Sequence, residues 1–215
     1  MANGRVPLKP ADFVRAAMTF VDEHGLDALT MRSLGDLLGV DPTALYRHFP
    51  SKDALIGAML DSLVGEIVAQ APDRDLPPRE RLLVLLRRAR ALFCQHPNLM
   101  GAFISSSGQW PNGLVLMRLG VEMLEDLGLR GRDLVMCQQM LEGYVIGSSA
   151  FDLAGSPDHH EIRRLRYRAV EREAYDNVSR TVDDVVAIAD DAFQSGLNGV
   201  LDLCERLASA TSSAR

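Results

Sequence analysis

Apolar residues near the start of the chain recur at helical rather than strand spacing. Phe13, Ala16, Ala17, Phe20 and Val21 fall at i, i+3, i+4, i+7 and i+8, and Pro10 stands where a first helical residue needs no amide partner. The pattern predicts a helix from about Pro10 to His24, stopped at Gly25, where a left-handed cap is tolerated. Thr30 then offers a cap oxygen to a second helix, Met31 to Leu38, with Met31, Leu34, Leu37 and Leu38 inward and Gly39 ending it.

The next stretch, "GVDPTALYRHFPSKDAL", carries unusually dense punctuation. Asp41 can cap a third helix and Pro42 suits its first position, while Pro50 biases Phe49 away from helical geometry and Ser51 can cap a fourth. The third helix is thereby confined to about Pro42 to Phe49. A helix that short is not stable alone in water, so its neighbours must hold it. Two short helices joined by a tight Gly-containing turn make a helix-turn-helix unit.

The fourth helix carries Leu55, Ile56, Met59, Leu60, Leu63, Val64, Ile67 and Val68, a stripe wide enough to bridge two cores. "APDRDLPPRE" then breaks the pattern with three prolines and marks a boundary near Ala71. Further helical segments are expected at roughly 79–95, 97–105, 111–127, 132–153, 158–178 and 182–208. No stretch alternates apolar and polar residues as a half-buried strand would. The expected fold is all-α. A three-helix helix-turn-helix DNA-binding domain, residues 1–55, is joined by a bridging helix, 52–70, to a larger helical domain, 71–215.

The face of the third helix is where chemistry enters. With Leu45 as origin, Phe49 lies at about 40° and Pro42 at about 60°, whereas Thr43 lies near 160° and Arg47 near 200°, all at ~100° per residue. The outward face therefore presents Thr43, Ala44 and Arg47, flanked by Tyr46 and His48, with Lys52 just beyond. A hydroxyl, a guanidinium, a small residue and aromatic donors are what base edges and phosphates in a major groove require. Charge limits this reading: the net charge is −6, and residues 1 to 55 hold six Lys or Arg against seven Asp or Glu. General polyanion binders carry a basic surplus, so contact with DNA must come from the placement of a few cations.

The stretch "LTMRSLGDLLGVDPTALYRHFPSKDALIGAML", Leu29 to Leu60, with its Leu-Tyr-x-His-Phe run and following Ser-Lys-x-x-Leu, resembles the motif of TetR-family transcriptional regulators. The resemblance implies a homodimer whose recognition helices enter successive major grooves of a near-palindromic operator, released when a small molecule binds the larger domain. Carried over by position, it gives DNA contacts to Thr30, Arg32, Thr43, Ala44, Tyr46, Arg47, His48 and Lys52, and core roles to Leu45 and Phe49. "LFCQHPNLMGAFISSSG", "LRGRDLVMCQQMLEGYVIGSSAFDL" and "DDAFQSGLNGVLDLCERL" are similar to segments of the tetracycline-repressor branch. There the resemblance implies a magnesium-coordinating histidine where this chain has Phe103, which argues against a metal-chelated tetracycline as the ligand.

Flexible thioethers and aromatics suit adaptable apolar cavities, so Phe93, Met100, Phe103, Trp110, Met117, Met136, Met140 and Tyr144 are the candidate ligand contacts, with Gln139 and His96 as polar additions. Each is also an ordinary core residue type. Near the end, Val185, Ala189, Ala192, Phe193, Gly196, Val200, Leu203 and Leu207 form one stripe. The resemblance implies that this helix and residues 132–153 pair with their copies in a four-helix dimer interface.

Other features carry less. "RRLRYRAVERE", 163–173, reads as a solvated helix face with i, i+4 pairs, and "DHHE", 158–161, as a polar connector rather than a metal site. Cys94, Cys137 and Cys204 form no CxxC pair and read as apolar filler. No nucleophile-base constellation, phosphate-cradling loop or spaced ligand set points to an enzyme, and no cofactor is implied. With 47% apolar residues but neither a membrane-length run nor an apolar leader in "MANGRVPLKP", a cytoplasmic protein is expected.

Overall fold

The structure is a computed structural model, and it describes residues 8–107, 109–151, 161, 164, 165, 169 and 188–213. Every regular element among them is helical: α1 (Pro10–His24), α2 (Met31–Leu38), α3 (Pro42–Tyr46), α4 (Lys52–Ala69), α5 (Pro78–Gln95), a 3-10 turn (Pro97–Leu99), α6 (Met100–Ser105), α7 (Pro111–Asp126), α8 (Gly131–Phe151) and α9 (Ala189–Ser213). Most of the expected segment 158–178, including Asp158, His159 and His160 of "DHHE" and most of "RRLRYRAVERE", lies outside the described residues, as does Val185. No described helix is long and apolar enough to cross a membrane.

The chain forms two compact units, one from Met1–Gln70 with Asn98–Met117, the other from Ala71–Pro97 with Arg118–Arg215. The expected domain limits assigned all of 71–215 to one domain. In the structure, residues 98–117 instead share a unit with the helix-turn-helix.

Local chemistry explains the first unit's short helices. Thr30 accepts from the Ser33 amide at 2.9 Å while Ser33 Oγ accepts from the Thr30 amide at 2.9 Å, a reciprocal cap that fixes where α2 starts. Gly39 ends α2 in the left-handed region at φ 63°. Asp41 Oδ1 accepts from the Thr43 amide at 2.8 Å and opens α3, and Ser51 Oγ accepts from the Ala54 amide at 3.1 Å to open α4. Regular helix in α3 stops at Tyr46, shorter than the expected 42–49, yet the Phe49 amide still bonds the Leu45 carbonyl at 2.8 Å. The final turn is thus hydrogen-bonded but tightened ahead of Pro50.

Leu45, Leu55, Met59 and Leu29 are fully enclosed; α3 packs on α2, α2 on α1 and α1 on α4, and the Phe13 ring of α1 meets that of Phe49, just past α3, edge to face at 6.5 Å. Two expected faces are corrected. Leu37 is 57% exposed, and Gly35 takes the inward place beside Met31 and Leu34. In α1 the buried set is Phe13, Val14, Ala17, Met18 and Val21, with Ala16 and Phe20 only partly covered.

In the second unit α8 packs against α5 and α9. Leu134, Cys137, Leu141 and Val145 of α8 and Phe193, Leu197, Leu201 and Cys204 of α9 are buried. Arginines on α5 tie the helices together at their margins: Arg79 bridges to Asp202 at 2.7 Å and Glu205 at 2.6 Å, and Arg90 bridges to Asp190 at 2.7 Å with its guanidinium 4.4 Å from the Phe193 ring centroid. The α9 stripe differs from expectation. Phe193 is inward, but Ala192 is exposed and Gly196, Val200, Leu203 and Leu207 are only partly covered in the single chain.

Candidate functional site

Helix α3 presents two contrasting faces. Leu45 is 0% exposed and Phe49 6%, whereas Thr43, Tyr46, Arg47 and His48 are exposed and Ala44 is half-buried. Burial of one face therefore orients the other. Its shape is that of a short rod whose outward side carries a hydroxyl, a guanidinium and a phenol around a small residue, with no outward bulk at Ala44 to hold a partner surface away.

Around the rod, Arg32 is exposed on α2. Thr30 is exposed as well, but its hydroxyl is engaged with Ser33 as the α2 cap. The His48 ring lies 5.4 Å from Phe13 and 6.4 Å from Phe49, so one side of it rests on the core while the residue stays open to solvent. Lys52 is half-buried, and its ammonium donates to the Leu26 carbonyl at 3.1 Å. That bond uses one of three donors and pins α4 to the α1–α2 turn.

Asp41 sits at the N-terminal end of the same rod. Hydrogen bonds from the Thr43 hydroxyl and then its amide hold the carboxyl below the ordinary value of 3.8, outweighing desolvation, with the Arg47 charge as the least of the lowering effects. Asp41 is more than the cap expected of it. Its charge is a second feature of the face, one that orders Thr43 and faces Arg47, and the Asp-Pro pair was the signal for it.

The candidate ligand contacts divide between the units. In the first, Met100 is buried, Phe103 and Trp110 are half-buried with ring centroids 5.9 Å apart, and Met117 is 54% exposed. In the second, Phe93 is buried, Met136 is 37% exposed, and Met140 and Tyr144 are half-buried. Tyr144 stacks on Phe193 at 5.7 Å, and its hydroxyl donates to the Phe193 carbonyl at 3.1 Å, which fastens α8 to α9. His96 is half-buried and Gln139 exposed.

Two family models match the chain. "Bacterial regulatory proteins, tetR family" covers residues 13–59, the unit that contains α3, and "Tetracyclin repressor-like, C-terminal domain" covers residues 72–205. The chain belongs to the TetR family.

Among TetR-family relatives, the HTH-type transcriptional repressor DrrR1 of Streptomyces coeruleorubidus is 31% identical over 65% of this chain and 52% of its own, so the chain spans about half of that relative's length. The class A tetracycline repressor protein from transposon 1721 of Escherichia coli is 28% identical over 91% of this chain and 89% of its own. Apo ActR from Streptomyces coelicolor superposes with a TM-score of 0.78 over 97% of this chain and 100% of its own, at 22% identity, a likeness of fold. ActR has also been solved in complex with actinorhodin. The relatives are named as regulators and repressors, and TetR-family members are not enzymes.

In this TetR-family chain the Phe103 ring, whose position matters to the expected exclusion of a metal-chelated ligand, lies against that of Trp110. A phenyl ring has no lone pair to offer a divalent cation.

Proposed function

We propose that this TetR-family protein is a ligand-responsive regulator that represses transcription as a homodimer and leaves a near-palindromic operator when a small, largely apolar molecule binds its larger domain. The observation that carries the reading is the polarity of α3, with Leu45 and Phe49 buried and Thr43 and Arg47 exposed. Thr30, Arg32, Ala44, Tyr46, His48 and Lys52 complete the proposed DNA surface.

Dimerisation fits both the charge and the surface. With a net charge of −6, a single half-site has little electrostatic attraction for DNA, and joining two half-sites raises the effective concentration of the second. On α8, Val135 and Met136 are 55% and 37% exposed, and on α9 Ala192, Val200, Leu203 and Leu207 stay at least partly open in the single chain, whereas Gly196 of the expected stripe lies under Tyr144 of α8. Helices with an apolar stripe on each of two sides suit a four-helix interface. For the ligand, Phe93, Met136, Met140 and Tyr144 of the second unit favour an apolar molecule, and the ActR–actinorhodin complex supports small-molecule binding in this fold.

Induction requires that the ligand bind the DNA-competent and DNA-free arrangements with different affinity. The test is a gel-shift and anisotropy titration with duplex DNA flanking the protein's own gene. A sequence-preferring, salt-sensitive complex of two chains per site is expected. Absence of such a complex at any salt concentration overturns the reading.

A further inference from the structure

Residues 98–117 join the helix-turn-helix unit through two polar anchors on different helices. Asn98 Nδ2 donates to the Val21 carbonyl at 2.8 Å and lies 3.3 Å from that of Asp22, in the last turn of α1; the Val21 carbonyl also accepts the Gly25 amide at 2.8 Å, so Asn98 adds a second donor there. Asn112, in the first turn of α7, donates its amide to Asp61 Oδ1 at 2.7 Å and its Nδ2 to the Asp61 carbonyl at 3.1 Å and to Oδ2 at 3.2 Å. The Asp61 carboxylate of α4 thus caps α7, where a negative charge is favoured. The seat is shaped for this contact: a Cβ on Gly65 would lie 2.9 Å from Asn112 Nδ2.

Between the anchors, the Trp110 indole rests against the bare backbone of α4 at Gly57, with Nε1 3.5 Å from where a Cβ would stand. Of the helices so anchored, α1 packs on α4 and on α2, and α2 is the helix against which α3 packs. Five residues of regular helix cannot hold their own direction, so the aim of Thr43 and Arg47 depends on the frame that α2, α1 and α4 make together.

We infer that Asn98 and Asn112 are positioning residues for DNA binding: residues 98–117 strap α1 to α4 and thereby set the direction in which α3 faces the duplex. The inference rests on the proposed DNA-binding function. It adds that the recognition module is incomplete when cut at Gln70, and that displacing the strap at either asparagine misaims α3 without removing any group that touches DNA.

The experiment uses the full chain and duplex DNA flanking its own gene, with Asn98→Ala, Asn112→Asp and the double variant Asn112→Asp with Asp61→Asn. Asn112→Asp sets a second carboxylate against Asp61, and the double variant removes that repulsion and restores a donor-acceptor pair. Each single variant, at a temperature where circular dichroism shows full helix content, is expected to bind about tenfold more weakly with an unchanged salt slope, because no phosphate contact is lost. The double variant is expected to recover most of the loss. Folded single variants that bind as tightly as the parent overturn the inference, as does a double variant no better than Asn112→Asp; should Asn112→Asp fail to fold, Asn98→Ala decides. A parent that binds no DNA sinks the proposed function instead, and the strap is then judged by hydrogen exchange: unchanged protection of α1 and α4 in Asn98→Ala overturns it.

Discussion

The Tyr144 hydroxyl stands over Gly196 in space that any side chain at that position would occupy, because a Cβ built there overlaps the phenol oxygen. The close approach lets Tyr144 reach the Phe193 carbonyl at 3.1 Å and stack on the Phe193 ring, so the α8–α9 seam is keyed by a residue that has no side chain. Gly196→Ala is expected to force the ring out and destabilise the fold by about 1–3 kcal/mol, the usual cost of overpacking. Paired with Tyr144→Phe, which removes the nearest overlapping atom while the ring carbon Cζ stays 2.6 Å from the built Cβ, the same substitution should cost less but not become neutral. Thermal unfolding of the four proteins checks this.

On the DNA face, Arg47→Ala is expected to weaken operator binding by about 1–3 kcal/mol and relax preference at one base position if the guanidinium reads a base. Lys52→Ala should behave differently. Its ammonium bonds the Leu26 carbonyl at 3.1 Å, so the variant should lower both the melting temperature and the affinity. Anisotropy titrations against a panel of operator variants, run beside melting curves, separate the two behaviours.

The cysteines should differ in reactivity. Burial first, and a hydrogen bond with Cys137 second, push the Cys204 thiol up to about 12, so it holds almost no thiolate at neutral pH. Cys137 and Cys204 are both buried, whereas Cys94 is half-buried. A thiol reagent is expected to modify Cys94 first and the other two only on unfolding, which mass spectrometry of labelled peptides would show.

Asp41 gives the start of α3 a pH dependence. Its folded pKa is lowered below 3.8, so its stabilising contribution is present above that value and is lost as pH falls through the lower folded value. Asp41→Asn keeps a capping oxygen without the titration. Acid unfolding of the variant should be shallower than that of the parent below about pH 4, where the unfolded carboxyl titrates.

At the end of α2, Gly39→Ala is expected to cost about 1 kcal/mol, since φ 63° places a Cβ against the following carbonyl. Chemical denaturation, with the slope unchanged, would establish it.

The amino-acid sequence by itself determined what is local. Thr30, Asp41 and Ser51 are caps because a short side-chain oxygen meets amides two or three residues on, and Gly39 and Pro50 are stops because of their own backbone limits. The two faces of α3 followed from the same short-range geometry. Only the tertiary structure decided matters of partnership. On α9, two adjacent apolar stripes compete, and contact with α8 buries Phe193, Leu197, Leu201 and Cys204 while leaving Val200, Leu203 and Leu207 partly open. Leu37 had helical spacing and still faces out, because spacing says that a residue shares a stripe and not that anything covers it. The joining of 98–117 to the helix-turn-helix depends on Asp61 meeting Asn112 across 51 residues of chain, a contact made by folding that no local period encodes.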